Sequence, residues 1–335
     1  MLALFIVLLA QAGEVDKCLA CHERMEAITL ESGESLALSV DRGAFLRSAH
    51  MRSLACTDCH AEFRNVGGMH PVQRLRSRRE YAIAWSEQCQ KCHFNDYKAS
   101  LDGVHRAQIV KGRLGAAVCS DCHGAHDISP PGNPRTKISL TCARCHEKIA
   151  AAYVKSVHGE ALRTGNEDVP ACTDCHRAHD IEDPRTGEWR LRSPQMCGAC
   201  HTDAKRMGKY GLSTGVLQTY LTDFHGATAR LQSGGKGEVP VVALCTDCHG
   251  VHDIVRAGDP ASPVMKANLL GTCRKCHGDA GADFPAAWLA HTEPSAARAP
   301  LVYAVKVFYQ FLIPFMIGGL ALQIILHLWR IVVNR

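Results

Sequence analysis

Uninterrupted apolar runs stand at the two ends of this chain. Met1 to Ala10 is apolar and is followed by Ala10-Gln11-Ala12, which has the small-residue form of a cleavage site. Residues 1–12 therefore read as a secretory signal peptide, although no Lys or Arg precedes the run. About ten apolar residues are too few to cross a bilayer, which needs roughly 20. The C-terminal run, Phe311 to Trp329, is long enough, and residues 301–310 extend it with Lys306 as their single charge. Pro314 and Gly318-Gly319 are tolerated in lipid, where neighbouring groups re-satisfy the freed backbone. Residues 299–335 are expected to form one transmembrane helix with a short tail, the alternative being a buried helix of a soluble domain. Between the ends, residues 146–158 (His-Glu-Lys-Ile-Ala-Ala-Ala-Tyr-Val-Lys-Ser-Val-His) contain neither Gly nor Pro and predict a helix. If it were continuous, it would hold His146 and His158 roughly 18 Å apart at about 1.5 Å per residue.

A chain of 335 residues ordinarily makes about two domains. Eighteen cysteines do not belong to an ordinary cytosolic protein, and 6% aromatic residues leave few large side chains to fill two cores. Something other than side chains is expected to fill the interior of residues 13–298.

The cysteines always fall three positions apart, and a histidine always follows the second. In chain order the first three motifs are Cys18, Cys21 and His22, then Cys56, Cys59 and His60, then Cys89, Cys92 and His93. The next three are Cys119, Cys122 and His123, then Cys142, Cys145 and His146, then Cys172, Cys175 and His176. The last three are Cys197, Cys200 and His201, then Cys245, Cys248 and His249, then Cys273, Cys276 and His277. Nine C-x-x-C-H motifs leave no cysteine over. C-x-x-C-H reads as c-type haem attachment, because two thiols can bond the two vinyl groups while the adjacent imidazole turns onto the iron. A disulfide framework would not require the histidine. Structural zinc usually joins two half-sites across a short finger and does not demand the Cys-His step. Thioredoxin-like chemistry needs one C-x-x-C, not nine.

Ten histidines lie outside the motifs. His327 belongs to the apolar C-terminal run, which leaves His50, His70, His105, His126, His158, His179, His225, His252 and His291 as nine candidate sixth ligands for nine irons. Matching numbers favour His/His ligation throughout. Met51 and Met69, each beside a candidate histidine, are local alternatives.

The motifs alternate between two kinds. Four, at Cys56, Cys119, Cys172 and Cys245, have the form C-[TS]-D-C-H and are termed aspartate motifs below. Three of them continue as H-x-x-H-D-I through His126, His179 and His252, and the first runs through a longer loop to His70. The other five begin at Cys18, Cys89, Cys142, Cys197 and Cys273, and a lone histidine follows each of them: His50, His105, His158, His225 or His291. The result is an internal repeat of two motifs and two histidines every 53 to 76 residues, which predicts a quasi-linear array of similar modules. A histidine three residues beyond an axial one, such as His126 after His123, emerges beside the same haem face and should serve a neighbouring iron. Which histidine serves which iron stays open at this level.

In these motifs residues 16–293 resemble the multihaem c-type cytochromes, in particular periplasmic proteins with paired C-x-x-C-H and C-H-x-x-H elements. The resemblance implies a mainly α and irregular fold, with short helices and loops wrapped around an array of nine covalently attached haem c groups, and electron transfer as the activity. Family members that catalyse multi-electron reductions typically leave one iron without a protein sixth ligand or carry C-x-x-C-K. Here all nine motifs end in histidine.

Export agrees with this chemistry and places the haem domain in the bacterial periplasm, with the C-terminus in the cytoplasm. Basic residues flank the membrane run on both sides (Arg298 and Lys306, then Arg330 and Arg335), so charge bias alone does not orient it. Two ionised propionates per haem would turn the formal +5 into about −13 with ferrous irons. The basic residues Arg74, Arg76, Arg78 and Arg79 are accordingly expected to meet propionates or solvent, and no nucleic acid is expected. Gln323 and His327 share one face of the membrane helix. They fit either a partner's haem b or quinone pocket, or a polar position near the headgroups beside Trp329.

The expected function is a membrane-anchored relay between a quinol dehydrogenase or cytochrome b partner and a redox protein of the periplasm or outer membrane. The alternatives are a terminal reductase of a small nitrogen or sulfur oxyanion, which would make it an enzyme, and a polymerising cytochrome wire.

Overall fold

The computed structural model describes residues 13–334 apart from 52, 65, 67, 69, 71–75 and 233–241. The proposed leader, Met69 and Arg74 lie outside the described residues. The chain is mostly helical with loops. The only strands among the described residues are Ile28–Thr29 and Ser35–Leu36, which pair antiparallel. Most helices are one to two turns long, because cysteine motifs, glycines and prolines interrupt the sequence at short intervals. Two are longer: Gly187–His201, with 15 residues, and Pro300–Val333, with 34.

The chain divides into two compact units. The first comprises Met1–Arg190 with His249–Ser262, and the second Leu191–Cys248 with Pro263–Arg335. The side-chain core is sparse in both. In the second unit Leu191, Ala229, Val242 and Leu244 form one buried cluster. Among the described residues the largest fully buried side chains are Leu244 and Pro194 followed by three serines, Ser156, Ser193 and Ser262. Phe94 and Leu140, which adjoin cysteine motifs in the first unit, are 61% and 68% exposed. Residues that would ordinarily make a core are thus arranged at the surface next to the motifs.

The predicted helix over residues 146–158 is broken. It runs as Glu147–Lys155 and restarts as Val157–Arg163, with Ser156 extended between them. The Ser156 hydroxyl donates to the Tyr153 carbonyl and accepts from the Gly159 amide at 3.1 Å, which supplies the cap of the second helix. This turn is possible because residue 159 is glycine: a Cβ there would stand 1.9 Å from the Tyr153 carbonyl oxygen. The second unit repeats the arrangement, with a Cβ on Gly226 falling 2.0 Å from the Tyr220 carbonyl oxygen. Each tyrosine hydroxyl then ties the turn to the segment entering the next aspartate motif, Tyr153 to Pro170 O at 2.5 Å and Tyr220 to Ala243 O at 3.0 Å. Gly159→Ala is expected to lower stability by about 2–4 kcal/mol, since backbone must move. Thermal unfolding of the variant against the parent measures this, and an unchanged midpoint would contradict the close approach.

The Pro300–Val333 helix has a mean hydropathy of 2.1 over its most apolar window and none of that window is buried. Leu301, Phe315 and Val332 are 82%, 77% and 74% exposed. By length and composition it can cross a membrane.

Candidate haem-binding sites

The local geometry of each motif follows from helical spacing. Where a motif occupies one turn, the amide at the histidine bonds back to the first cysteine's carbonyl, as in His60 to Cys56 at 2.9 Å and His146 to Cys142 at 3.0 Å. Cysteines three apart and a histidine one further on then share one helix face. The four aspartate motifs form short helices, Cys56–Cys59, Cys119–His123, Cys172–His176 and Cys245–His249. Their aspartate, which drew no role from the sequence, caps that turn. The amides of Ala55, Val118, Ala171 and Leu244 donate to Asp58, Asp121, Asp174 and Asp247 at 2.6–2.8 Å. The signal was present as a carboxylate recurring at the third helical position, where it complements the free amides of a helix start.

Seven motif histidines are placed opposite a histidine from elsewhere in the chain. The ring-centre separations are 5.8 Å for His22/His70, 5.9 Å for His50/His93, 6.2 Å for His60/His126 and 6.2 Å for His105/His146. They are 6.1 Å for His123/His179, 5.9 Å for His176/His252 and 6.2 Å for His225/His277. Aromatic contacts in general scatter over about 4.5–7 Å. Two metal–imidazole bonds of about 2 Å on opposite sides of one centre, with the ring radii added, require about 6 Å. The seven pairs therefore fit a metal ion between the rings. Among the described residues no group of three or more His, Cys, Asp or Glu side chains gathers to hold a metal. Two imidazoles are what an iron already held by four porphyrin nitrogens needs, and the residues fit covalent haem. His158, His201, His249 and His291 make up the rest of the eighteen histidines, and all have partners of their own.

The pairing follows a register. His126, His179 and His252 lie against the histidine of the preceding aspartate motif, not their own. His50, His105 and His225 lie against the histidine of an alternate motif further along. The two kinds of distal residue are laced together by the backbone: the amides of Ala49, Val104 and Val157 donate to the carbonyls of Ile128, Ile181 and Ile254 at 2.7–2.8 Å. The isoleucine of H-D-I is thus an anchor for the segment carrying a lone histidine. His70 departs from this register and lies against His22, the histidine of the alternate motif before its own.

Burial pushes His60, His105, His123, His126, His176 and His252 below the ordinary histidine value, with neighbouring imidazoles adding to the effect on most of them. This favours the neutral ring, the form whose nitrogen binds metal. Ring orientation is set from behind in two cases. His22 Nδ1 is 3.0 Å from the Leu38 carbonyl, which fixes the tautomer and leaves Nε2 for a metal. His179 Nδ1 is 3.1 Å from Asp96.

No disulfide joins any of the eighteen cysteines. The two cysteines of a motif are placed differently. The first cysteines of successive motifs come within hydrogen-bond reach of one another: Cys18 with Cys56, Cys89 with Cys119, Cys142 with Cys172 and Cys197 with Cys245. Among the second cysteines, Cys21, Cys59, Cys92, Cys122, Cys145 and Cys276 are exposed, whereas Cys175, Cys200 and Cys248 are partly covered. Cys200 is covered by Arg206, whose Nη1 lies 2.9 Å from its sulfur. The sequence assigns all nine second cysteines (Cys21, Cys59, Cys92, Cys122, Cys145, Cys175, Cys200, Cys248 and Cys276) to the same thioether role as their partners three residues upstream.

Arg79 departs from the expectation of propionates or solvent. It binds Asp121 at 2.7 Å and the carbonyls of Leu114 and Ala116. Those bonds occupy the fork of the guanidinium.

Residues 117–202 match the family described as cytochrome c3. The matched segment holds four motifs, those at Cys119, Cys142, Cys172 and Cys197. This segment is similar to multihaem electron-transfer cytochromes that bind haem c covalently. No solved structure matches the chain.

Proposed function

We propose that this protein is a nonahaem cytochrome c that relays single electrons from a membrane partner, a quinol dehydrogenase or cytochrome b subunit, to a redox protein of the periplasm or outer membrane. The observation that carries the reading is the set of paired imidazoles at one common separation, repeated in seven places. When bound, haem supplies reversible one-electron chemistry at iron. The eighteen cysteines would anchor the groups, and the nine motif histidines together with His50, His70, His105, His126, His158, His179, His225, His252 and His291 would supply the imidazoles that hold the iron. With an imidazole on each side the iron would have no position open to substrate, which would suit electron transfer and not oxyanion reduction. The C-terminal helix supports a location at the cytoplasmic membrane, with the haem domain outside and residues 1–12 as its export signal. A fixed ligand set also keeps reorganisation small at each step.

The reduced protein should be low-spin at every haem and take up almost no carbon monoxide. Absorption and electron paramagnetic resonance spectra measure this. A stoichiometric high-spin haem that reduces nitrite, hydroxylamine or tetrathionate would replace the relay with a reductase.

A further inference from the structure

Two arginines recur at equivalent places in successive repeats. Arg79 opens the helix Arg78–Ser86, which leads into the motif at Cys89, and Arg135 stands just before the helix Thr136–Ala143, which carries Cys142. Each reaches across to the aspartate of the next motif, Arg79 to Asp121 at 2.7 Å and Arg135 to Asp174 at 2.6 Å. Each also donates to backbone just ahead of that motif, at Ala116 and at Val169. The carboxylate oxygen that receives the guanidinium is the one that caps the motif helix, Asp121 Oδ2 from the Val118 amide and Asp174 Oδ2 from the Ala171 amide. One oxygen thus fixes both the orientation of the motif and its distance from the motif before it. The arginine side chains are only 24% and 31% exposed, so the fork is held in place.

The same two motif pairs make the thiol contacts Cys89 with Cys119 and Cys142 with Cys172. With haem attached, those sulfurs would be its thioethers. The first repeat is tied differently: Glu14 receives the Thr57 amide and hydroxyl, and the guanidinium beside Asp58 is that of Arg64 from its own loop, at 3.4 Å.

We propose that Arg79–Asp121 and Arg135–Asp174 are positioning struts that hold the two haems of their repeat edge to edge and make each of these two repeats a coupled two-haem unit. This rests on the haem reading above. The variant that isolates the strut is Asp121→Asn with Asp174→Asn in the full-length, haem-loaded protein. Asparagine still accepts the capping amide but carries no charge, so the bond to the guanidinium drops from charge-assisted to neutral while the turn keeps its cap, and a residue that merely stabilises the turn changes little. The readouts are the split Soret circular dichroism of touching haems and the broadened resonance of spin-coupled irons.

With haem content intact and spectra low-spin, the split signal should fall by roughly a third to a half, as independent contributions from two repeats would predict. Arg79→Lys with Arg135→Lys, which keeps the charges and loses the fork, should fall between the two and serves equally if the asparagine variant matures poorly. Unchanged dichroism and resonance in a fully loaded variant would overturn the struts. Missing covalent haem in the unaltered protein would instead overturn the haem reading.

Discussion

Replacing His126 with alanine should turn the haem at Cys56/Cys59 high-spin and leave the haem at Cys119/Cys122 unaffected. His126 lies three residues after His123, yet its ring faces His60 at 6.2 Å, whereas His123 faces His179 at 6.1 Å. Removing it opens one axial position on an iron whose cysteines lie more than sixty residues upstream. Carbon monoxide uptake by the reduced protein should rise from almost none to about one per chain. Adding Cys56→Ala and Cys59→Ala in the same background should abolish that uptake. If the carbon monoxide site survives the loss of this haem, the ligand register is wrong.

The second large effect concerns the membrane. A chain ending at Ala299 should leave the membrane fraction almost completely and appear as a red soluble protein in the periplasm. The deleted helix presents its apolar side chains outward along its length, and each Leu, Ile or Phe moved from water into lipid contributes about 1.5–3 kcal/mol. A run of such residues gives more than enough to hold the domain, and nothing else among the described residues is long and apolar enough to cross. Fractionation after a high-salt wash is the measurement. Truncated protein that stays with the membranes would show that another segment anchors it.

The cysteine motifs, the nine further histidines and the apolar C-terminal helix were legible in the sequence because each is a local pattern with its own spacing. Ligand pairing was not, since it is set by which segments meet in space. The lacing of Ala49 to Ile128 and of Val104 to Ile181 joins positions more than seventy residues apart. Helix propensity favoured continuity through residue 156, but Ser156 and Gly159 together offered the backbone a capped turn that local alanine content does not outweigh. The aspartate of C-[TS]-D-C-H was visible as a repeated letter. Its work became clear only once the amide it caps and the arginine it receives were placed beside it. Arg79 was misjudged for a related reason: a run of like charges usually reads as a solvated face, and here one member turns inward to the carboxylate of the aspartate motif at Cys119.

The account stands on nine covalent haems, and the intact mass of the denatured, purified protein tests that directly. It should exceed the polypeptide mass, after any leader is removed, by nine haem groups, and the denatured chain should keep its full haem absorbance. A mass corresponding to eight or fewer, from cells with a competent haem-attachment system, would contradict it.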